Sequence, residues 1–240
     1  MKVLVIGDSC VDNFIYCDIN RICPEAPVPV LQPIESTTNP GMASNVARNL
    51  ISLGAEVELI TNEINIRKTR YIDIKSGQMI MRLDENDNCD EFEGEYDSSG
   101  YDAVIISDYN KGFLKEEDIF LWLNSCNVPT FLDTKKRLGK FSSIADFVKI
   151  NKPEMESNKD YSYDNIIVTD GKNGAIYKNK TYPVSKQVKV SNVSGAGDTF
   201  LAGLVYSFIK EKNIDKAIRF ANDCAIQVVQ QRGVTVCQKV

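Results

Sequence analysis

The run Ser194-Gly195-Ala196-Gly197-Asp198-Thr199-Phe200 sets small residues and one carboxylate at the start of an apolar helical pattern. Phe200, Leu201, Leu204, Val205, Phe208 and Ile209 recur at helical spacing, so the backbone N–H groups of Gly195, Ala196 and Gly197 are expected to lie unpaired at a helix start. Such donors can hold a phosphate. Asp198 beside them is suited to take a proton from a hydroxyl, although an isolated Asp in a first helical turn more often only complements the helix dipole. The chain contains no histidine, which excludes Ser-His-Asp and Cys-His catalysis and leaves acid–base work to Asp, Glu, Lys or Tyr.

These residues sit in a chain of 240 residues with a net charge of −5. Lys and Arg are scattered rather than clustered, which argues against a nucleic-acid partner and leaves small anionic ligands open. The longest apolar runs, Val3 to Ile6 and Ala103 to Ile106, are strand-sized, and the first residues enter a strand without a signal-peptide layout. A cytoplasmic protein without a membrane partner is expected. Seven cysteines at irregular spacing, without a Cys-x-x-Cys pair, read as reduced structural thiols.

What positions the candidate residues is an alternation of strands and helices. Strand-like runs at Lys2–Gly7, Glu56–Thr61, Ala103–Ser107, Thr130–Asp133, Phe147–Ile150 and Asn165–Thr169 are interleaved with helical patterns at Ala43–Leu53 and Glu116–Leu123, and two further helices close the chain. This rhythm predicts an α/β fold with a mainly parallel sheet flanked by helices, whose ligands bind beyond the carboxyl ends of the strands. Val28–Ile34, Thr69–Lys75 and Gln78–Leu83 do not fit the alternation and read as strands of a small β-flap, a lid drawn from about residues 14–38 and 68–84 of a single domain spanning 1–240. The acidic segment Asp84 to Asp97 reads as a solvated connection.

Five segments then occur in a telling order: Gly7-Asp8 with Asp12, Asn39-Pro40-Gly41-Met42-Ala43-Ser44-Asn45 opening a helix, Asn151-Lys152-Pro153-Glu154, Thr169-Asp170-Gly171-Lys172-Asn173-Gly174, and the Gly-Ala-Gly-Asp run. The order resembles that of the ribokinase-like (PfkB) carbohydrate kinases and covers essentially the whole chain. Within that family, Pro24-Glu25-Ala26-Pro27-Val28-Pro29-Val30, Asn45-Val46-Ala47-Arg48-Asn49-Leu50 and Ser107-Asp108-Tyr109-Asn110-Lys111-Gly112 are most similar to heptose 7-phosphate kinases, which are often fused to an adenylyltransferase. No nucleotidyltransferase pattern follows residue 240, so the kinase activity alone is expected.

The resemblance implies an ATP- and Mg²⁺-dependent kinase acting on the anomeric hydroxyl of D-glycero-β-D-manno-heptose 7-phosphate. Another sugar or nucleoside kinase, or a weakly catalytic binding relative, is the alternative. It implies Asp198 as base with Gly195, Ala196 and Gly197 as the phosphate cradle; Asp8, Asp12, Gly41, Met42, Asn45 and Asp108 toward the sugar; and Arg21, Lys111 and Lys135 toward its phosphate. Asn151, Thr169, Gly171, Gly174 and Asn222 would serve the nucleotide, and Glu154 the magnesium through water. A homodimer through the flap is compatible with its open face. Two departures stand out: Met42 replaces a customary glycine, and connecting segments are short between Thr61 and Lys68, before Ala103, and between Glu154 and Asn165.

Overall fold

The computed structural model describes residues 1–238 apart from 64, 96 and 162. In chain order the strands are β1 (Lys2–Gly7), β2 (Ser9–Asp18), β3 (Gln32–Met42), β4 (Glu56–Ile60), β5 (Arg67–Asp73), β6 (Met79–Glu85), β7 (Ala103–Asp108), β8 (Thr130–Thr134), β9 (Phe147–Asn151), β10 (Ile166–Thr169), β11 (Ala175–Tyr177) and β12 (Lys180–Tyr182). The helices are α1 (Ala43–Ser52), α2 (Glu116–Ser125), α3 (Lys152–Ser157), α4 (Ala196–Glu211) and α5 (Ile214–Val229). Among the described residues no helix is long and apolar enough to cross a membrane.

Eight strands form one sheet in the order β12-β11-β10-β9-β8-β7-β1-β4, parallel from β4 through β10. Alternate side chains divide its core. Val3, Val5, Ala103 and Ile105 face α1, α4 and α5, whereas Leu4, Ile6, Val104 and Ile106 face Ile119 and Leu123 of α2. Both faces are covered, which is why these strands read as continuous apolar runs rather than alternating ones.

The second sheet has four strands in the order β3-β2-β5-β6. It corrects the expected flap. Its first pair is Ser9–Asp18 against Gln32–Met42 and its last is Arg67–Asp73 against Met79–Glu85, so the strands reach beyond about 14–38 and 68–84, and of Val28–Ile34 only residues 32–34 belong to a flap strand. The signal was weak because the first five residues of β3, Gln32 to Ser36, are all exposed, which leaves no apolar period to read. Asn39, Pro40 and Gly41 likewise end β3 instead of opening a helix. The closing pair β11 and β12 also went unread; it turns at Lys178 and Asn179, both with positive φ, without the glycine that usually marks such a hairpin.

The short connections are real. The stretch between β6 and β7 forms no helix or strand among its described residues, and α3 is six residues long. The acidic segment nevertheless does more than connect: Phe92 packs on Phe113 and Trp122, and Cys89 N donates to Lys111 O at 2.9 Å. It thus covers part of the face that α2 leaves open.

Candidate active site

The carboxyl ends of β7, β8, β9 and β10 meet the start of α4, so Tyr109, Lys135, Lys149, Asn151, Thr169 and Asp198 line one cleft of about 570 Å³. Asp198, in the first turn of α4, is 3 % exposed. Its Oδ1 accepts from the Tyr109 hydroxyl and its Oδ2 from Asn45 Nδ2 at 3.0 Å. Burial raises its pKa to about 6, against the lowering effect of those two hydrogen bonds and of the Lys149 ammonium. A carboxyl poised near neutrality beside a helix start is matched to moving a proton.

Gly195 caps α4 with φ 77°, a left-handed conformation that glycine adopts without steric cost. The phosphate cradle is narrower than expected, because Ala196 N is already committed to Val193 O at 3.2 Å. Among the described residues the amides of Gly195 and Gly197 have no acceptor. Beneath them stands Lys149: a Cβ placed on Gly197 would come within 2.9 Å of its Nζ. This ammonium is 4 % exposed and pairs with Asp133 at 2.7 Å. Lys149 and Asp133 face each other in register across β9 and β8, which is how two charges come to be buried together.

Lys135 joins this group by pairing with Glu154 at 2.5 Å, and Asp133 and Glu154 together hold its ammonium protonated against the opposing effect of burial. Glu154 is also half of a reciprocal helix cap, its Oε2 accepting from Asn151 N at 2.8 Å while Asn151 Oδ1 accepts from Glu154 N at 2.9 Å. Among the described residues no group of three or more His, Cys, Asp or Glu could cage a metal. A single half-buried carboxylate whose oxygens are engaged by Lys135 and Asn151 N fits an outer-sphere partner of Mg²⁺, which keeps several waters and takes one or two carboxylates plus phosphates.

Two grooves extend from this centre. One, of about 210 Å³, runs past Thr169, Gly171, Gly174 and Asn222 and is largely apolar, with Val190, Phe200 and Val229 among its walls; Asn222 itself donates to Tyr182 O at 2.9 Å. The other, of about 640 Å³, lies between the small sheet and residues 189–194, where Arg70, Lys75, Arg82, Lys189 and Arg232 face Phe14 and Tyr16. Asp12, 7 % exposed, holds Arg70 at 2.5 Å, and Gly41 packs so close to the Asp12 carboxylate that no side chain fits there.

The comparisons with known proteins match this geometry. A model of the pfkB family of carbohydrate kinases matches residues 125–240, the part that carries Asp133, Lys149, Glu154 and Asp198. Over those residues the chain is similar to the pfkB carbohydrate kinases. Such kinases are phosphotransferases acting on sugar hydroxyls. The bifunctional protein HldE of Campylobacter jejuni (strain RM1221) is 30% identical over 97% of this chain and 62% of the relative. The bifunctional protein HldE of a Nitratiruptor species is 29% identical with the same shares, so the chain spans 62% of the length of both relatives. The fold is ribokinase-like. A ribokinase from Thermotoga maritima superposes with a TM-score of 0.73 at 18% identity, covering 97% of this chain and 94% of that one. An Arabidopsis thaliana ribokinase complexed with ribose and ATP gives 0.71 at 13% identity, covering 99% and 95%.

Around this cleft several expected ligands turn out to be framework. Asp8 is fully buried and accepts from the backbone amides of Tyr109, Lys111 and Phe113, so it fastens the loop after β7 rather than facing a sugar. Asp108, 1 % exposed, holds Thr134 Oγ1 and Lys136 Nζ. Lys111 pairs with Asp87 at 2.5 Å, and Arg21 lies in the exposed loop between β2 and β3, outside the cavities described above. Asn45 is fully buried against Asp198. Met42, 3 % exposed, packs with Cys10 and Ile66 and does not stand in the cleft.

Sequence reading missed Tyr109, Lys149, Asp133 and Arg70 as members of the site. The signal was available for two of them. Asp133 follows Phe131-Leu132 and Lys149 stands between Val148 and Ile150 in short buried strands, and such charges are buried only when paired.

Proposed function

We propose that this domain transfers the γ-phosphoryl group of ATP to a hydroxyl of an already phosphorylated sugar, with O1 of D-glycero-β-D-manno-heptose 7-phosphate as the acceptor. The observation that carries the reading is Asp198, buried, poised near pH 6 and placed one residue after the open amide of Gly197. In this reading Asp198 accepts the proton of the attacking hydroxyl, and the amides of Gly195 and Gly197 with the Lys149 ammonium beneath them receive the charge on the phosphoryl oxygens. Tyr109 and Asn45 aim the carboxylate. The apolar groove beside Gly174 and Asn222 suits a nucleotide base, and Thr169 and Gly171 lie between it and the phosphates. Magnesium, held by the phosphates and water with Glu154 and Asn151 outside them, would neutralise nucleotide charge.

The phosphorylated acceptor is supported by the basic groove at the small sheet, where Arg70 is held by Asp12 and Arg82 by Asp84, while Lys189 and Arg232 line the wall without an ion pair among the described residues. These replace Arg21 and Lys111 as candidates for the sugar phosphate. The HldE relatives and the Pro24 to Val30 run support heptose as the sugar. Exposed Ile34, Met79, Met81 and Leu83 on the small sheet support the flap as a homodimer surface. ADP release should be measured with ATP, Mg²⁺ and a panel of heptose 7-phosphate, fructose 6-phosphate, ribose and adenosine. The heptose phosphate should exceed ribose in kcat/KM by roughly tenfold or more, the scale of a lost charge-assisted contact. Equal turnover of ribose or adenosine would overturn the substrate and leave a generic PfkB kinase.

A further inference from the structure

We propose that Asn49 is a positioning residue, fixing the orientation of Asn45 and through it that of the Asp198 carboxylate. The proposal rests on reading Asp198 as the base. Asn49 lies one helical turn after Asn45 on the same face of α1, and both are fully buried. The amide of Cys237, in the C-terminal segment, donates to Asn49 Oδ1 at 3.0 Å. A backbone N–H can only donate, so this contact decides which end of the Asn49 amide is oxygen. Its Nδ2 must then face Asn45, where it donates to the main-chain O at 2.8 Å and to Oδ1 at 3.2 Å. With that oxygen turned toward Asn49, Asn45 has only Nδ2 to present to Asp198 Oδ2, at 3.0 Å. Reversing any one link would oppose two donors or two acceptors between fully buried amides.

The C-terminal segment is thereby part of the site. Cys237 is fully buried, its carbonyl accepts from Ser52 Oγ at 2.6 Å, and Val234 lies against Gly195. The other titratable groups around Asp198 are Tyr109 after β7, Asp133 of β8, Lys135 after it, Lys149 of β9 and Cys10 of β2. None touches Asn49 through a hydrogen bond, so loss of Asn49 reaches Asp198 through Asn45 or through the C-terminal segment, two routes that a second variant separates.

The test compares Asn49→Ala with Ser52→Ala, which removes another contact of the same segment but none of the amide relay. In ¹³C-carboxyl titrations of the free protein, with the Asp198 signal assigned by its absence in Asp198→Asn, Asn49→Ala should raise the Asp198 midpoint by about one unit, because the ionised form loses a fixed donor. Its kcat with ATP and heptose 7-phosphate should fall roughly tenfold, with the KM for ATP nearly unchanged, and Asn45→Ala/Asn49→Ala should be no slower than Asn45→Ala alone. Ser52→Ala should melt lower while keeping both the midpoint and kcat. Should Asn49→Ala not fold, Asn49→Ser supplies the same comparison. An Asn49 variant that melts lower but keeps the wild-type midpoint and kcat overturns the proposal. Wild-type turnover by Asp198→Asn would instead overturn the reading of the base, which the titration detects separately.

Discussion

Asp198 is held where ionisation is costly, and that cost has a sign. Its pKa in the folded chain is about 6, above the ordinary value of 3.8, because burial disfavours the charged form. The folded state therefore retains the proton longer than the unfolded state, so the contribution is fully present below the ordinary value and is lost as pH rises through about 6. Two units correspond to about 3 kcal/mol at most. Asp198→Asn should accordingly melt higher than wild type at pH 8 by a margin that closes toward pH 4, measured by thermal unfolding across that range. Met42 offers a second stability test. Its φ of 58° and ψ of −132° lie in a region that suits glycine, while its side chain is buried against Cys10 and Ile66. Met42→Ala would keep a strain of about 1–3 kcal/mol and lose the packing, whereas Met42→Gly would lose only the packing. Chemical denaturation should rank Met42→Gly above Met42→Ala, the reverse of the usual helix preference. Asp198 was legible in the sequence from its setting among small residues, but Asp8 and Asp108 were not, since a carboxylate after a strand looks the same whether it meets a ligand or three backbone amides.

At the scale of elements, the start of α4 and the face of α1 must stay in register for the site to exist. Gly195 is the contact point: its φ of 77° excludes an easy alanine, and a Cβ there would meet Asn45 Nδ2 at 2.7 Å. Gly195→Ala should displace Asn45 and lower kcat by roughly tenfold to hundredfold, the consequence of misplacing a catalytic group by a fraction of an ångström to one ångström. Steady-state kinetics with a circular-dichroism check of folding reads the effect, and an unchanged kcat would separate Asn45 from catalysis. The helices α1, α4 and α5 were readable because each buries apolar residues at helical spacing against one sheet. Strands β2 and β3 were not, because Asp12, Asn13 and Asp18 interrupt the inward Cys10, Phe14 and Tyr16 of the first, and most of the second faces outward. Asp12, one of the residues that hide the strand from sequence reading, holds Arg70 of β5, which lines the groove.

The whole molecule keeps one helical layer complete and thins the other. Helices α1, α4 and α5, which carry Asn45 and Asp198, cover one face fully, whereas α2, the short α3 and the Phe92 segment cover the opposite one. The short connections leave Asp198, the turn at residues 195–197 and the basic groove in place, so a shortened chain retains its candidate catalytic groups. The fold class and the order of the site segments were legible because they depend on chain order; the division of labour among buried charges depends on register across β8 and β9, which no local pattern reports. The proposed reaction is phosphoryl transfer to O1 of a sugar phosphate through Asp198. The most direct test is ³¹P NMR of ATP, Mg²⁺ and heptose 7-phosphate incubated with wild-type protein and with Asp198→Asn. A new anomeric phosphate resonance growing with ADP in wild type, and slowed by roughly 10²–10⁴-fold in the variant, is the predicted result. An anomeric resonance formed at equal rates by both proteins, or no phosphorylated product from wild type, would contradict it.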